Sequence, residues 1–295
     1  MKMLQDIKAY FHNADGLYRL LLINISVFLL LKLLKLVMFL SGADSLTLIG
    51  LTDLFAMPSN IQSLLYKPWT ILSYMFIHEG FFHILFNMLI LYWLGKIFCE
   101  YLGSKKIVPV YILGGIAGAL VYVIAYNIFP AFSGSVHYSK LIGASAGVIA
   151  VMVAIATLAP NYSIHLLFFG AVKLKYVAGF SILLYIISIP DGNAGGNIAH
   201  LGGALLGFAY TKLLQQGTNI GLWIEWLADY IMGKKPVRMK VVKKSAAKQY
   251  HGGTVKQREV AIDNILEKIS KSGYSSLSSE EKEILFKASN RKGPQ

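Results

Sequence analysis

Acidic side chains are scarce in this sequence. Only 15 Asp and Glu stand against 28 Lys and Arg in 295 residues, a formal net charge of +13. None of those acids falls inside a long apolar run. An ion-coupled transporter needs carboxylates within its spans, and no inverted repeat is visible, so that class is set aside. Cysteine is almost missing: Cys99 stands alone, which excludes an internal disulfide and says little about compartment. No His-Glu-x-x-His run occurs, which argues against zinc hydrolysis, and no metal or other cofactor is expected. The glycine-rich stretch Gly114–Ala119 has no βαβ setting and reads as helix packing rather than nucleotide binding. No nucleic-acid partner is expected either. Basic residues flanking apolar runs are normally topology signals and lipid contacts.

Apolar residues are what the chain has in quantity. They make up 55% of it, and the mean hydropathy is +0.55, more than an ordinary soluble domain carries. The runs predict an all-α polytopic membrane protein, a six-helix transmembrane bundle with a small helical cytoplasmic tail. The expected spans are Leu20–Leu40, Phe81–Cys99, Ile107–Phe129, Leu141–Ala159, Ile164–Ile189 and Gly195–Leu214. Each has about the length that a hydrocarbon core of about 30 Å requires. Lys32 and Lys35 interrupt the first and are expected to face neighbouring helices or to snorkel. A cleavable signal peptide is not expected, because no small-residue cleavage site follows a short apolar core.

Positive charge sets the orientation. Lys2, Lys8 and Arg19 precede the first span, Lys96, Lys105 and Lys106 lie between the second and third, and Lys173 and Lys175 between the fourth and fifth. The opposite loops hold Lys67, Lys140 and, around Asp191, none. This alternation puts both termini in the cytoplasm and starts spans two, four and six on the outer face. Ser145, His200 and the pair His83 and Asn87 then fall in one layer, about 3–10 Å inside their helix starts. Ser133–Ser139 and Asp191–Gly196 supply the polar loops expected around its mouth.

Ser145 lies in Gly143-Ala144-Ser145-Ala146-Gly147. By itself such a run fits a packing face as well as a nucleophile. His200 is followed by Gly203-x-x-x-Gly207, a spacing that lets another backbone approach and that would bring a serine within about 2.6–3.2 Å of the imidazole. A histidine satisfied by a neighbouring carbonyl is the alternative. His83 and Asn87, four residues apart, share one helical face, and their donors suit either an oxyanion or an interhelical bridge. His78 reads first as a structural hydrogen bond at the loop entrance and second as an oxyanion assistant. His137 and His165 are assigned to loops, without a role. A hydroxyl attacks well only when a base takes its proton, and polar groups in lipid are costly enough to be kept for function.

Gly-Ala-Ser145-Ala-Gly, His83-x-x-x-Asn87 after His78, and Ala-His200-Leu-Gly-Gly-x-x-x-Gly together resemble the rhomboid intramembrane serine proteases, over about residues 15–215. The resemblance implies a bacterial-type enzyme of the cytoplasmic (inner) membrane that cuts membrane-protein substrates near the outer face. Ser145 would be the nucleophile and His200 the general base. His83, Asn87 and the Ser145 amide would form the oxyanion hole, with Gly143 giving the close turn and His78 in support. Ser41–Pro68 would be a half-immersed first loop, and the outer end of the fifth span a lateral gate. Two positions depart from the family pattern. Trp69-Thr70 replaces Trp-Arg, so arginine anchoring is absent or supplied differently. Ile149 replaces a tyrosine that packs under the histidine in some relatives, so stacking is expected to be lost. A catalytically silent rhomboid-like chaperone or substrate-binding protein is the alternative.

The expected organisation is an amino-terminal arm over 1–19, a membrane core over 20–215, an interfacial helix and basic linker over 216–248, and a small helical segment over 249–295. Leu222, Trp223, Trp226, Leu227 and Tyr230 predict an apolar face opposite Glu225 and Asp229, followed by Lys234, Lys235, Arg238, Lys240, Lys243 and Lys244 on anionic lipid. Ala246-Ala247 and Gly252-Gly253 form a linker. Ile262, Ile265, Leu266 and Ile269 recur at helical spacing, and Ser278 with Glu281 makes a capping box before Ile284-Leu285-Phe286, the pattern of a helical hairpin, with a weakly ordered tail as the alternative.

Overall fold

The computed structural model describes residues 15–232 except 167, together with 255–272, 274–282 and 285. Lys2 and Lys8, the basic run Lys234–Lys244, the Ala246-Ala247 and Gly252-Gly253 linker, and Ile284 and Phe286 lie outside the described residues. Contacts group residues 1–236 into one unit and 237–295 into a second.

In the first unit the apolar runs become helices: α1 (Gly16–Leu40), α5 (Phe81–Leu102), α6 (Ile107–Ile128), α7 (Ser145–Leu158), α8 (Leu174–Ile187) and α9 (Ala194–Gln215). Helices α1, α5 and α6 are long and apolar enough to cross a membrane, α9 has 22 residues, and α7 and α8 are shorter apolar helices of 14 residues each. Between α1 and α5 come α2 (Ser45–Asp53), β1 (Met57–Pro58), α3 (Ile61–Tyr66) and α4 (Thr70–Ser73).

Two expected spans differ from what forms. The fourth, read from Leu141, starts its helix only at Ser145, because Lys140–Leu141 is drawn out as strand β2 against β1. The fifth, read from Ile164, begins as a β-hairpin, β3 (Ser163–Leu166) with β4 (Gly170–Lys173), and turns helical only at Leu174. His165 therefore sits in a strand, not a loop. Short apolar runs do not distinguish strand from helix by periodicity, and Gly170, at φ +67°, lies just past the turn.

The core is the trio α6, α7 and α9. Helix α7 is buried from Ala146 to Ala156. The Gly203-x-x-x-Gly207 face of α9 lies against it so closely that a Cβ at either glycine would strike the carbonyl oxygen of Ala146 or Ala150. From the other side Gly114 and Gly118 of α6 meet the methyl groups of the same two alanines. Small residues at these positions let backbones touch, which is how helices gain dispersion energy when lipid removes the hydrophobic drive.

The first loop is tied down by hydrogen bonds rather than by an arginine. Trp69 Nε1 donates to the Leu54 carbonyl (2.8 Å), Ser73 Oγ to that of Phe55 (2.8 Å), and Thr70 Oγ1 to that of Lys67 (2.6 Å). Lys140 pairs with Asp53. Tyr74 Oη donates to the Gly115 carbonyl (2.7 Å), and Asn127 Nδ2 to that of Ser59 (2.7 Å), joining loop to α6. Lys32 leans out of α1 to donate to the Glu79 carbonyl (2.8 Å). After α9, helix α10 (Leu222–Ile231) turns its acids inward: Glu225 accepts from Asn219 Nδ2 and Asp229 pairs with Lys105, each at 2.8 Å, while Trp223, Trp226 and Tyr230 stay exposed.

In the second unit α11 (Val255–Ser272) buries Ile265, and Leu277 is buried after a 3₁₀ turn. The capping box forms reciprocally: Ser278 N–H donates to Glu281 (2.7 Å) and Glu281 N–H to Ser278 Oγ (3.2 Å). Lys268 donates to the same carboxylate (2.9 Å) and, with Ser278, holds its pKa below the ordinary carboxylate value.

Candidate active site

Three helices bring the expected polar residues together. Ser145 is the first residue of α7, His83 and Asn87 lie in the first two turns of α5, and His200 lies in the second turn of α9. His200 Nε2 stands 2.7 Å from Ser145 Oγ, the length of a direct hydrogen bond. The pair is brought into reach by the close approach of Gly203, three residues after His200, to Ala146, the residue after Ser145. As the opening residue of its helix, Ser145 carries a main-chain N–H with no acceptor inside that helix.

Gly143 occupies φ +117°, and a Cβ there would lie 2.7 Å from His83 Nε2. Only glycine meets both demands, so the imidazole of His83 can rest beside the backbone leading to Ser145. Asn87 is buried and donates one amide hydrogen to the His83 carbonyl (2.8 Å), which leaves the second hydrogen of its amide for another acceptor. His78 lies behind His83, the rings 5.0 Å apart and edge-on. The structural hydrogen bond expected of His78 does not form: both ring nitrogens are buried, and their approach to the Phe76 backbone falls short of a well-formed bond. Burial first, and His83 second, push its pKa down to about 4, so it is a neutral ring.

Ser145, His200, His83 and Asn87 line one cavity of about 680 Å³. Gly192, Asn193 and Gly196 border it, as the polar loop before the last span leads one to expect. Ser133–Ser139 do not. Ser139 instead accepts from Tyr122 Oη (2.9 Å), and its carbonyl and that of Val136 accept from Ser59 Oγ, tying this loop to the first one. His137, expected to have no role, meets Asn60 Nδ2 at 3.2 Å.

Several lining residues escaped the sequence reading, Tyr185 among them. Tyr185, on α8, sets its ring 4.5 Å from that of His200 at 60°. The aromatic partner of the imidazole is therefore not lost where Ile149 replaces tyrosine, but comes from another helix. No periodicity marks Tyr185, because an aromatic in an apolar helix has the same pattern whether it faces lipid or a cavity.

Comparison with known proteins bears on the whole arrangement. A family model described as "Rhomboid domain" matches residues 66–217, just over half of the chain. A second, described as "Family of unknown function (DUF6576)", matches residues 254–291. The chain is also similar to "RHOMBOID-like protein 12, mitochondrial" of Arabidopsis thaliana, 29% identical over 144 residues. That alignment covers 46% of this chain and 43% of the relative, so the chain spans less than half the length of the curated relative it matches.

Proposed function

The chain belongs to the rhomboid family of integral membrane proteins, and from that premise we propose that it is an intramembrane serine endopeptidase working through a Ser145–His200 dyad. The observation that carries the reading is the 2.7 Å approach of His200 Nε2 to Ser145 Oγ in a cavity that His83 and Asn87 also line.

In this reading a neutral His200 accepts the Ser145 proton as Oγ attacks a peptide carbonyl. The oxyanion is met by the Ser145 N–H at the start of α7, by Asn87 Nδ2 and by His83. His200 then returns the proton to the leaving amine, and water releases the acyl group by the same route. A helical substrate hides its carbonyls in internal hydrogen bonds, so it must unwind at the cut, and glycine or proline nearby favours this. The charge alternation supports both termini in the cytoplasm and the cavity toward the outer face, with residues 216–248 as an interfacial helix and basic linker. Substrates are single-span or polytopic membrane proteins, and residence in a bacterial inner membrane rests on motif likeness alone.

Fluorophosphonate labelling of the purified protein, beside Ser145→Ala, tests this together with cleavage of a model single-span substrate. Labelling that disappears with Ser145, and a cut in or near the span, are expected. A folded wild type that neither labels nor cleaves overturns the reading in favour of a substrate-binding protein.

A further inference from the structure

General bases in serine hydrolases need a fixed ring orientation, which a carboxylate at Nδ1 often provides. His200 has no such support: its Nδ1 is buried and has no hydrogen-bond partner among the described residues. What does restrain the ring is the Ser145 hydroxyl on one nitrogen and the Tyr185 ring against its plane, 4.5 Å away at 60°. That geometry lies within the range of favourable edge-to-face pairs.

The helix that supplies Tyr185 is lightly packed. Helix α8 buries only Leu174 and Ala178, both in its first half, while Leu183, Ile186 and Ile187 around Tyr185 are 53%, 50% and 55% exposed. Its end is fastened to α9 by Asn197 Nδ2, which donates to the Ser188 carbonyl (2.7 Å). The ring that steadies the base thus rides on a helix end held by few contacts.

We propose that Tyr185 is a positioning residue that holds the His200 imidazole in line with Ser145, so that the dyad is aligned only while the Ser188 end of α8 is seated against α9. The inference rests on the reading of Ser145 and His200 as a catalytic dyad.

The test uses the full-length purified protein, with Tyr185→Phe, Tyr185→Leu and Asn197→Ala compared to wild type. A small fluorophosphonate probe reports the dyad, and kcat and KM for a single-span substrate report turnover and access. Tyr185→Phe keeps the ring and is expected to stay within about twofold of wild type. Tyr185→Leu is expected to slow labelling and lower kcat together by about two- to tenfold with KM unchanged. Asn197→Ala, which leaves the tyrosine in place but unfastens α8, is expected to slow labelling in the same sense. Wild-type labelling in folded Tyr185→Leu, with only KM or large-substrate cleavage altered, overturns the proposal and makes Tyr185 a wall of the substrate path. Equal losses in Phe and Leu overturn it by pointing to the hydroxyl, and unchanged labelling in Asn197→Ala overturns the link to α8 seating. A folded wild type that does not label at all brings down the dyad reading itself, a result distinct from all of these.

Discussion

Helices α7 and α9 meet backbone against backbone, whereas α8 leans on them through a few side chains. On the first pair Ala146 and Ala150 face Gly203 and Gly207 with no side chain between. On α8 only Leu174 and Ala178 are buried. The two groups proposed to react sit on the closely apposed pair, and the ring that contacts one of them sits on the loose helix. Close apposition fixes the two backbones that carry the 2.7 Å pair, and it leaves the orientation of the His200 ring to its side-chain contacts.

The comparison breaks first at the two groups proposed to react. His200→Ala and Ser145→Ala are each expected to abolish cleavage, a loss of at least about 10³ in kcat, while membrane insertion is intact. Retained proteolysis in either purified variant would remove the reason for the apposition. Asn87→Ala is expected to cost about 10²–10³ in rate if its free amide hydrogen serves the oxyanion, and an unchanged rate demotes it to packing. Gly207→Val drives a branched side chain into the Ala150 carbonyl. Its expected effect is a loss of about 1–3 kcal/mol in stability, read as a lower unfolding midpoint in detergent, with activity falling although the residue lines no part of the cavity. A wild-type midpoint would mean that the α7–α9 contact is slack. The smallest effect is expected on α8, where Phe180→Ala, at a side chain 62% exposed, should shift stability by no more than about 0.5 kcal/mol. A larger loss would show that α8 is seated as firmly as its neighbours.

The layer of Ser145, His200, His83 and Asn87 was legible because charge alternation and helical rise need no tertiary information. The Gly203–Gly207 spacing was legible too, since absent side chains announce a close neighbour, and the partner is the fourth helix as expected. Ser278 and Glu281 form the reciprocal cap that their spacing implies. Other features depend on contacts that no local pattern encodes. Ile164, His165 and Leu166 are apolar enough to extend a span, yet pair with Gly170–Val172 as strands. Ile149 suggested a lost stack because only its own helix could be scanned, whereas Tyr185 arrives from α8. Trp69-Thr70 lacks the family's arginine, and the loop is fastened instead by Trp69 to Leu54 and by Lys140 to Asp53, a connection 87 residues long.

Helix α7 has a further consequence as a ruler. Its 14 residues span about 21 Å, about 9 Å less than a bilayer core, and its first residue is Ser145. With the Leu158 end level with one face, the depth of the hydroxyl below the other is a residue count, independent of how any loop is arranged. One added turn would raise it by about 5 Å and present a bond about three or four residues away along a substrate helix. In the proposed endopeptidase the address of the cut is stored as a helix length.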